Sequence, residues 1–193
     1  MEEDERYYYA LQADDLVCLR RLLREGANVN HIFVGLNDIG LRPSMWSALH
    51  ICCEKGHFDS AKELLDAGAD PNVNDRWNWT PLFYAAQREW HNLVQLLLKY
   101  GSDVNARDIQ GRTSLHFCVD SYDTEYGTRC MKTLLENGAD PSVGDMLGRT
   151  PLWLCAAADG HIEHMELLLE SGPCGLNILD VREKRTPIQV DSY

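Results

Sequence analysis

Short apolar segments of nearly the same pattern recur along the chain. Residues 47–53 read SALHICC, 80–86 TPLFYAA, 113–119 TSLHFCV and 150–156 TPLWLCA. Each begins with Ser or Thr, whose hydroxyl can cap a helix, and two continue with Pro, which the first turn of a helix tolerates. Other apolar segments end in a Leu pair before a glycine that suits a left-handed helix stop. These glycines are Gly26, Gly68, Gly101, Gly138 and Gly172. The pattern predicts pairs of short helices separated by turns.

The predicted helix starts recur with a nearly constant period. Ser47, Thr80 and Thr113 are spaced by 33 residues, and Thr150 and Thr186 follow after 37 and 36 residues. In three of these units, twelve residues lead from the glycine to the next helix start, which predicts a turn that projects away from the helices. Chains with such a period stack their units, because each unit buries its apolar face against the next one.

Together these features resemble the ankyrin repeat. The resemblance rests on the period, on the Leu-His pairs at 49–50 and 115–116, on GADPN-like turns, and on an Asp five residues before the helix start. The three aspartates are Asp75, Asp108 and Asp145. The resemblance implies an all-α solenoid of stacked antiparallel helix pairs with projecting β-turn fingers. It also implies that the chain binds proteins through the finger tips and the inner helix face.

We expect a single ankyrin repeat domain over residues 1–193. Its predicted parts are an atypical N-terminal cap repeat with a long loop at 1–43, repeats at 44–74, 75–106, 107–143 and 144–179, and a partial repeat at 180–193. Two insertions interrupt the period, one within residues 31–45 and one around residues 120–128. The chain ends at Tyr193, too soon after Thr186 for another helix pair, which leaves open whether the natural chain continues.

Charge and composition narrow the classes of partner. The net charge is −12, whereas affinity for a nucleic-acid backbone or an anionic membrane needs clustered Lys and Arg. No apolar run is long enough to cross a bilayer, and the acidic start MEEDER does not resemble a targeting signal. Seven cysteines without a CxxC pair indicate reduced thiols. We therefore expect a cytoplasmic or nuclear protein that binds neither nucleic acid nor membranes.

Catalytic chemistry has little support in the sequence. His50 and His116 stand where the ankyrin family uses His to hydrogen-bond between neighbouring turns. His161 and His164 lie among glutamates, but one helical face does not gather them, and no thiol lies at the spacing of a zinc ligand. We find no set of acid, base and nucleophile and no phosphate-binding glycine loop. We expect no enzyme activity, no cofactor and no metal.

The expected binding residues form an edge of Trp and Arg. In ankyrin repeats the residue before each helix start is exposed on the turn, and here this position reads Trp46, Trp79, Arg112, Arg149 and Arg185. The finger tips and the inner helix add Arg76, Trp77, Ile109, Met146 and Arg88. Trp and Arg are enriched in interface hot spots, and Arg can pair with a carboxylate. We expect the partner to be a peptide or protein segment with an apolar anchor followed by acidic residues.

A packing role is the alternative for these aromatic residues. Trp46 and Trp79 would then stack on each other, with Arg112 beside them as a cation–π contact. Trp90, in the loop between two helices, is expected to cover that loop away from the binding face.

Two further interpretations stay open. Trp46, Trp77 and Trp79, with Asp75 or Glu54, form a candidate aromatic cage for a methylated lysine, as in some ankyrin arrays. Ankyrin arrays that resemble this one are often followed by a SOCS box. The second interpretation is therefore the substrate-receiving part of an adaptor such as a ubiquitin-ligase subunit.

One turn resembles a modification site. Leu97 and the sequence Asp103-Val104-Asn105 match the pattern that the factor-inhibiting asparaginyl hydroxylase recognises in ankyrin repeats. This resemblance makes Asn105 the expected acceptor of a hydroxyl group. The same asparagine is also expected to hold the turn.

Overall fold

A computed structural model describes residues 3–34, 45–119, 124–157 and 162–172. Ten helices lie in these residues: α1 (Glu3–Gln12), α2 (Leu16–Glu25), α3 (Ala48–Lys55), α4 (Phe58–Asp66), α5 (Pro81–Gln87), α6 (His91–Lys99), α7 (Ser114–Phe117), α8 (Thr124–Glu136), α9 (Pro151–Ala157) and α10 (Ile162–Glu170). The expected partial repeat at 180–193, Arg185, His161 and most of the first insertion lie outside the described residues.

The helices stack in two rows. In the first row α1, α3, α5, α7 and α9 pack on one another in sequence, and in the second row α2, α4, α6, α8 and α10 do the same. Leucines at equivalent positions of both rows are at most 1% exposed: Leu49, Leu82, Leu115, Leu152, Leu64, Leu97, Leu134 and Leu168. Burying each of them contributes about 1.5–3 kcal/mol to folding. The fold is therefore the all-α ankyrin solenoid that the sequence predicted.

The helix ends follow the predicted stops. All five glycines named from the sequence adopt the left-handed conformation, with φ between +86° and +124°. The backbone N–H of Gly26, at the end of α2, donates to the carbonyl of Leu23 at 3.2 Å, so the turn satisfies a carbonyl that the helix leaves open.

The three projecting fingers that follow the first one are each built around one buried aspartate. Its Oδ1 accepts hydrogen bonds from the backbone N–H groups two and four residues further on. The three aspartates are Asp75, Asp108 and Asp145. Neighbouring fingers are joined by their backbones, because the N–H of Ile109 donates to the carbonyl of Trp77 at 3.1 Å and that of Met146 to Gln110 at 2.8 Å. This ladder fixes the spacing between the tips, on which any shared binding site depends.

The first finger contains two short strands that the sequence did not predict. β1 (Ile32–Phe33) pairs antiparallel with β2 (Trp46–Ser47), with Phe33 opposite Trp46. Phe33 is buried against the rings of Tyr7 and Tyr8, at centroid distances of 5.5 and 5.6 Å. The pairing therefore brings the two ends of the insertion together and holds Trp46 at the start of α3.

Candidate partner-binding site

A groove opens between the fingers and the first row of helices. It encloses about 390 Å³ and is hereafter the finger groove. Its lining residues are Trp46, Glu54, Trp77, Trp79, Tyr84, Gln87, Arg88, Asp108, Ile109, Gln110 and Arg112. Six residues expected from the sequence thus meet in one place. Arg76, Met146 and Arg149 were also expected in the site, but they are not among the residues that line the groove.

Tyr84 organises the aromatic wall of the finger groove. The indole Nε1 of Trp46 donates to Tyr84 Oη at 3.0 Å, and that hydroxyl donates to Asp75 Oδ2 at 2.7 Å. The rings of Trp46 and Trp79 both pack edge-on against Tyr84, at 5.3 and 5.1 Å. The packing alternative placed these two indoles on each other, whereas in the structure each of them packs on the tyrosine ring.

Sequence reasoning missed Tyr84. It directly precedes the small pair Ala85-Ala86 on an inner helix, at a position where the other repeats have Ile51, Phe117 and Leu154. A hydroxyl in an otherwise apolar column was the available signal, since a buried hydroxyl needs a partner. Burial raises the pKa of the Tyr84 phenol, and its hydrogen bond to the Asp75 carboxylate raises it further.

Trp79 is held in place by contacts from the following repeat. Its Nε1 donates to Asp108 Oδ2 at 3.1 Å, and its ring packs edge-on against Phe117 at 4.7 Å. The Arg112 guanidinium lies 5.9 Å from the Trp79 ring centroid, as the packing alternative anticipated. These contacts hold the Trp79 ring in place as one wall of the groove.

The arginines of the finger edge are already paired within the chain. Arg112 donates to Asp108 Oδ2 through Nε at 2.9 Å, and Arg149 donates to Asp145 Oδ2 through Nε at 2.9 Å and a terminal nitrogen at 2.6 Å. Burial alone would raise the pKa of Asp145, but the hydrogen bonds from Arg149 outweigh it and lower that pKa. In the free chain each of these guanidinium groups therefore has a carboxylate four residues away, and their expected pairing with acidic residues of a partner stays a prediction.

Two more arginines have contacts of their own. Arg88 donates to both carboxylate oxygens of Glu54, with Nε to Oε2 at 3.0 Å. The guanidinium of Arg76 lies over the Trp77 ring, 4.0 Å from its centroid. One face of Trp77 is therefore covered by a cation of the chain itself.

The finger tips differ in what they offer a partner. Ile109 is 56% exposed and lines the groove, whereas Met146, at the equivalent place one finger later, is 73% exposed and does not. Exposed apolar side chains next to a groove favour binding of another apolar group. Ile109 and Met146 form a natural matched pair for testing this site.

Trp90 lies elsewhere. A Cβ placed on Gly56 would come within 2.7 Å of the Trp90 ring, so the indole packs on the inter-helix loop of the preceding repeat, and it does so away from the finger groove as expected. It lines a second concavity of about 540 Å³ with Phe58 and Tyr126. Arg88 lines both concavities.

Asn105 joins two fingers. Its Nδ2 donates to the Gly138 carbonyl at 2.9 Å, and its Oδ1 accepts from the backbone N–H of Asp140 at 2.9 Å. The expected role in holding the turn is confirmed. Hydroxylation of this exposed residue stays a prediction.

His50 and His116 have the structural role expected of them. Nδ1 of each accepts the N–H of the residue that begins its helix, which leaves Nε2–H to donate to the next finger: His50 to the Trp79 carbonyl at 2.9 Å and His116 to the Arg149 carbonyl at 3.1 Å. Burial lowers the pKa of both imidazoles to about 4. Among the described residues no three His, Cys, Asp or Glu side chains are arranged to hold a metal ion. No helix within that part of the chain is long and apolar enough to span a membrane.

Comparisons with known proteins agree with this architecture. The family model for ankyrin repeats in three copies matches residues 6–75 and 49–145, and the model for a single ankyrin repeat matches residues 147–181. The chain belongs to the ankyrin repeat family. Ankyrin repeats bind proteins and are generally non-enzymatic interaction modules.

Several known proteins are similar to part of this chain. A protein of Acanthamoeba polyphaga mimivirus named for its ankyrin repeats is 31% identical over 137 residues, 58% of this chain and 18% of its own length. The ankyrin repeat and SOCS box protein 5 of Bos taurus is 38% identical over 66 residues, 34% and 20% of the two chains. The E3 ubiquitin-protein ligase KEG of Arabidopsis thaliana is 33% identical over 75 residues, 39% and 5%. The chain thus spans a fifth or less of these relatives.

Proposed function

We propose that this chain is a non-catalytic interaction module that binds an extended segment of a partner protein in the finger groove. The segment places an apolar side chain against Trp46, Trp79 and Ile109. The observation that carries the proposal is the groove itself, an aromatic-walled space of about 390 Å³ beside an exposed isoleucine. Its volume lies within the range of roughly 300–1,000 Å³ that binding clefts occupy.

The rigidity of the wall supports this proposal. Trp46 and Trp79 each use their indole N–H within the chain, so their rings keep their orientation before a partner arrives. A preorganised site loses less conformational entropy on binding than a mobile one. The proposed ligand does not require acidic residues, because Arg112 and Arg149 already pair with carboxylates of the chain itself.

The test uses the two exposed finger tips. Peptides are selected from a random phage-displayed library on the wild-type chain, and their dissociation constants are measured for Ile109→Glu and Met146→Glu. We expect Ile109→Glu to weaken binding at least about tenfold, since a charge would be buried against the apolar anchor. Met146→Glu should leave binding unchanged. Equal losses in both variants, or no loss in either, would overturn the proposal.

A methylated lysine is the second candidate for the group bound in the finger groove. Trp46, Trp77 and Trp79 all line it, with the Glu54 carboxylate nearby, which is the composition of an aromatic cage. Against this candidate, the Arg76 guanidinium lies over the Trp77 ring. Peptides that differ only in lysine methylation distinguish it from the first candidate, because only an aromatic cage would bind the trimethyllysine peptide more tightly than the lysine peptide.

The cellular setting that we propose is the substrate-receiving part of an adaptor such as a ubiquitin-ligase subunit. Two of the relatives support this setting, one named for a SOCS box and one as an E3 ubiquitin-protein ligase. The test is ubiquitylation of a groove-bound partner in cells that express the natural protein or its Ile109→Glu variant. Adaptor function requires that the variant lowers ubiquitylation of that partner. If ubiquitylation of the partner is unchanged, the chain binds that partner but does not deliver it to a ubiquitin ligase.

A further inference from the structure

The charged side chains that line the finger groove are already paired with one another. Arg88 donates to both carboxylate oxygens of Glu54, and Arg112 donates to Asp108 Oδ2. The Glu54 side chain is 17% exposed, and that of Asp108 is completely buried. A cationic ligand would have to displace an arginine from its carboxylate, and an anionic ligand would have to compete with that carboxylate. The groove therefore favours an uncharged segment.

The hydrogen-bond acceptors of the finger groove are also engaged. The Tyr84 hydroxyl accepts from Trp46 Nε1, and both carboxylate oxygens of Asp108 accept from groups of the chain. At the finger tips the carbonyls of Trp77 and Gln110 accept backbone N–H groups of the next finger. A peptide N–H group of a ligand would therefore be buried against the aromatic wall without a good acceptor, and burying an unpaired donor is unfavourable.

Donors, by contrast, are available on two sides of the groove. Gln87 ends α5 and Gln110 lies at a finger tip, and both residues are exposed and line the groove. Among the described residues neither side-chain amide hydrogen-bonds to another group of the chain. The guanidinium groups of Arg88 and Arg112 also have N–H groups beyond those that their carboxylates accept. A ligand therefore finds more partners for its carbonyl groups than for its N–H groups.

The finger backbone is not available to pair with a ligand strand. All backbone N–H groups of residues 108–112, the finger tip that lines the groove, donate within the chain. A strand that joins a sheet edge needs unpaired backbone groups on that edge. The polyproline II conformation does not, because it is stable without backbone pairing and its proline residues have no N–H group.

We propose that the apolar anchor of the partner segment is a proline, within an uncharged stretch in the polyproline II conformation. The proline ring packs against Trp46, Trp79 and Ile109, and the carbonyls beside it accept from the amides of Gln87 and Gln110. Such segments dock in aromatic-lined grooves of several domain classes, because their conformation is formed before binding. This inference rests on the proposed function of the finger groove and names the chemistry that the groove selects.

The test starts from those peptides of the phage-displayed library whose binding Ile109→Glu weakens. We expect proline to be enriched in them relative to the unselected library. In synthetic versions each proline is replaced in turn by alanine or by N-methylalanine, which also lacks the N–H group. At least one alanine replacement should weaken binding about tenfold or more, because it buries an N–H group without an acceptor. N-methylalanine at the same position should recover most of that loss.

Two results with these peptides would overturn the inference. One is an alanine series that binds as tightly as the proline parent, or N-methylalanine that binds as weakly as alanine. The other concerns charge. Exchange of the residue next to the proline for arginine or glutamate should not strengthen binding, and a gain of several-fold for either would show that the groove selects a charged segment.

Variants of the chain test the role of the two glutamines. Gln87→Met and Gln110→Met keep most of the side-chain volume but remove the donors, and each should weaken the proline peptide about threefold to tenfold. The matched control is Gln95→Met, at an exposed position of α6 in the second row of helices, which should leave binding unchanged. Binding that neither Gln87→Met nor Gln110→Met weakens would contradict the inference.

The two proposals fail in distinguishable ways. If peptides sensitive to Ile109→Glu are selected but are not enriched in proline, the groove binds segments and only the proline inference falls. If the library yields no peptide that is sensitive to Ile109→Glu, the proposed function falls with it.

Discussion

Phe83 stands three residues after Thr80, where two other repeats have a histidine, and among the described residues the buried Thr80 hydroxyl has no hydrogen-bond partner. In those repeats the imidazoles of His50 and His116 lie within 2.8 and 3.0 Å of the corresponding hydroxyls. A phenyl ring offers no such contact. In the second repeat aromatic packing stands in place of this hydrogen bond, since the Phe83 ring stacks on Trp79 with a centroid distance of 6.0 Å.

This replacement predicts opposite results for the same substitution in two repeats. Thr80→Val removes an unsatisfied buried hydroxyl and should change the free energy of unfolding by less than about 0.5 kcal/mol or stabilise the chain. Thr113→Val removes a hydroxyl that contacts His116 and should destabilise by about 1 kcal/mol. Urea unfolding of both variants measures the two values. A larger loss for Thr80→Val than for Thr113→Val would show that the Thr80 hydroxyl has a partner.

A second prediction concerns the hydroxyl of Tyr84. Tyr84→Phe leaves Asp75 Oδ2 without its donor and the Trp46 indole without its acceptor, so it should cost about 1–3 kcal/mol. Tyr100→Phe removes an exposed hydroxyl bonded to Asp66 and should cost less than about 0.5 kcal/mol. Chemical denaturation provides the comparison, and equal costs would mean that the Tyr84 network does not stabilise the fold.

The scaffold could be predicted from the sequence because it depends on local rules. A hydroxyl at a helix start and a glycine at a helix stop act within a few residues, and repetition makes the same signal appear several times. The pairing of Arg112 with a carboxylate of the chain could not be judged in this way. The spacing of four residues to Asp108 was visible, but whether the two side chains meet depends on the finger conformation.

The site was predicted only in part for a related reason. Trp46, Trp77 and Trp79 were recognised as unusual in composition, and all three line the finger groove. That Tyr84 contacts two of them follows from the packing of α5 between its neighbours in the first row. The two strands of the first finger depend on the packing of Phe33 against the tyrosine rings of α1. This contact joins positions that are distant in the sequence, so no local pattern predicts it.

A third prediction separates backbone strain from side-chain contact at two glycines. Gly56 and Gly68 have φ of +81° and +90°, but only at Gly56 would a Cβ meet another group, the Trp90 ring at 2.7 Å. Both Gly→Ala substitutions should lower the free energy of unfolding by about 1 kcal/mol, because alanine is strained in the left-handed conformation. Gly56→Ala should lower it by about 1–3 kcal/mol more, because its methyl group would overpack against the indole.

The control for this comparison is a Trp90→Ala background, measured by thermal or urea unfolding. Without the indole, the two alanine substitutions should cost the same. An excess cost of Gly56→Ala that persists in this background would place its origin elsewhere than in the contact with Trp90.

The last prediction is a loss of stability in mild acid. The folded chain lowers the pKa of His50 and His116 to about 4 through burial, whereas an unfolded histidine has a pKa of about 6.5. The folded state therefore binds fewer protons than the unfolded state between these values, and the free energy of unfolding falls as pH falls through this window. Above about pH 6.5 the contribution is complete. Over this difference of about 2.5 pKa units, at about 1.4 kcal/mol per unit, each histidine lowers the free energy of unfolding by on the order of 3 kcal/mol.

The measurement is urea unfolding at a series of pH values from 7.5 to 4 in the wild type and in His116→Gln. We expect the variant to be less stable at pH 7.5, since it loses the hydrogen bond to the Arg149 carbonyl, and to show a shallower decline toward pH 4. The difference between the two chains should therefore shrink as pH falls. Parallel curves would mean that His116 has the same pKa in both states, and a steeper curve for the variant would contradict the assigned direction of the shift.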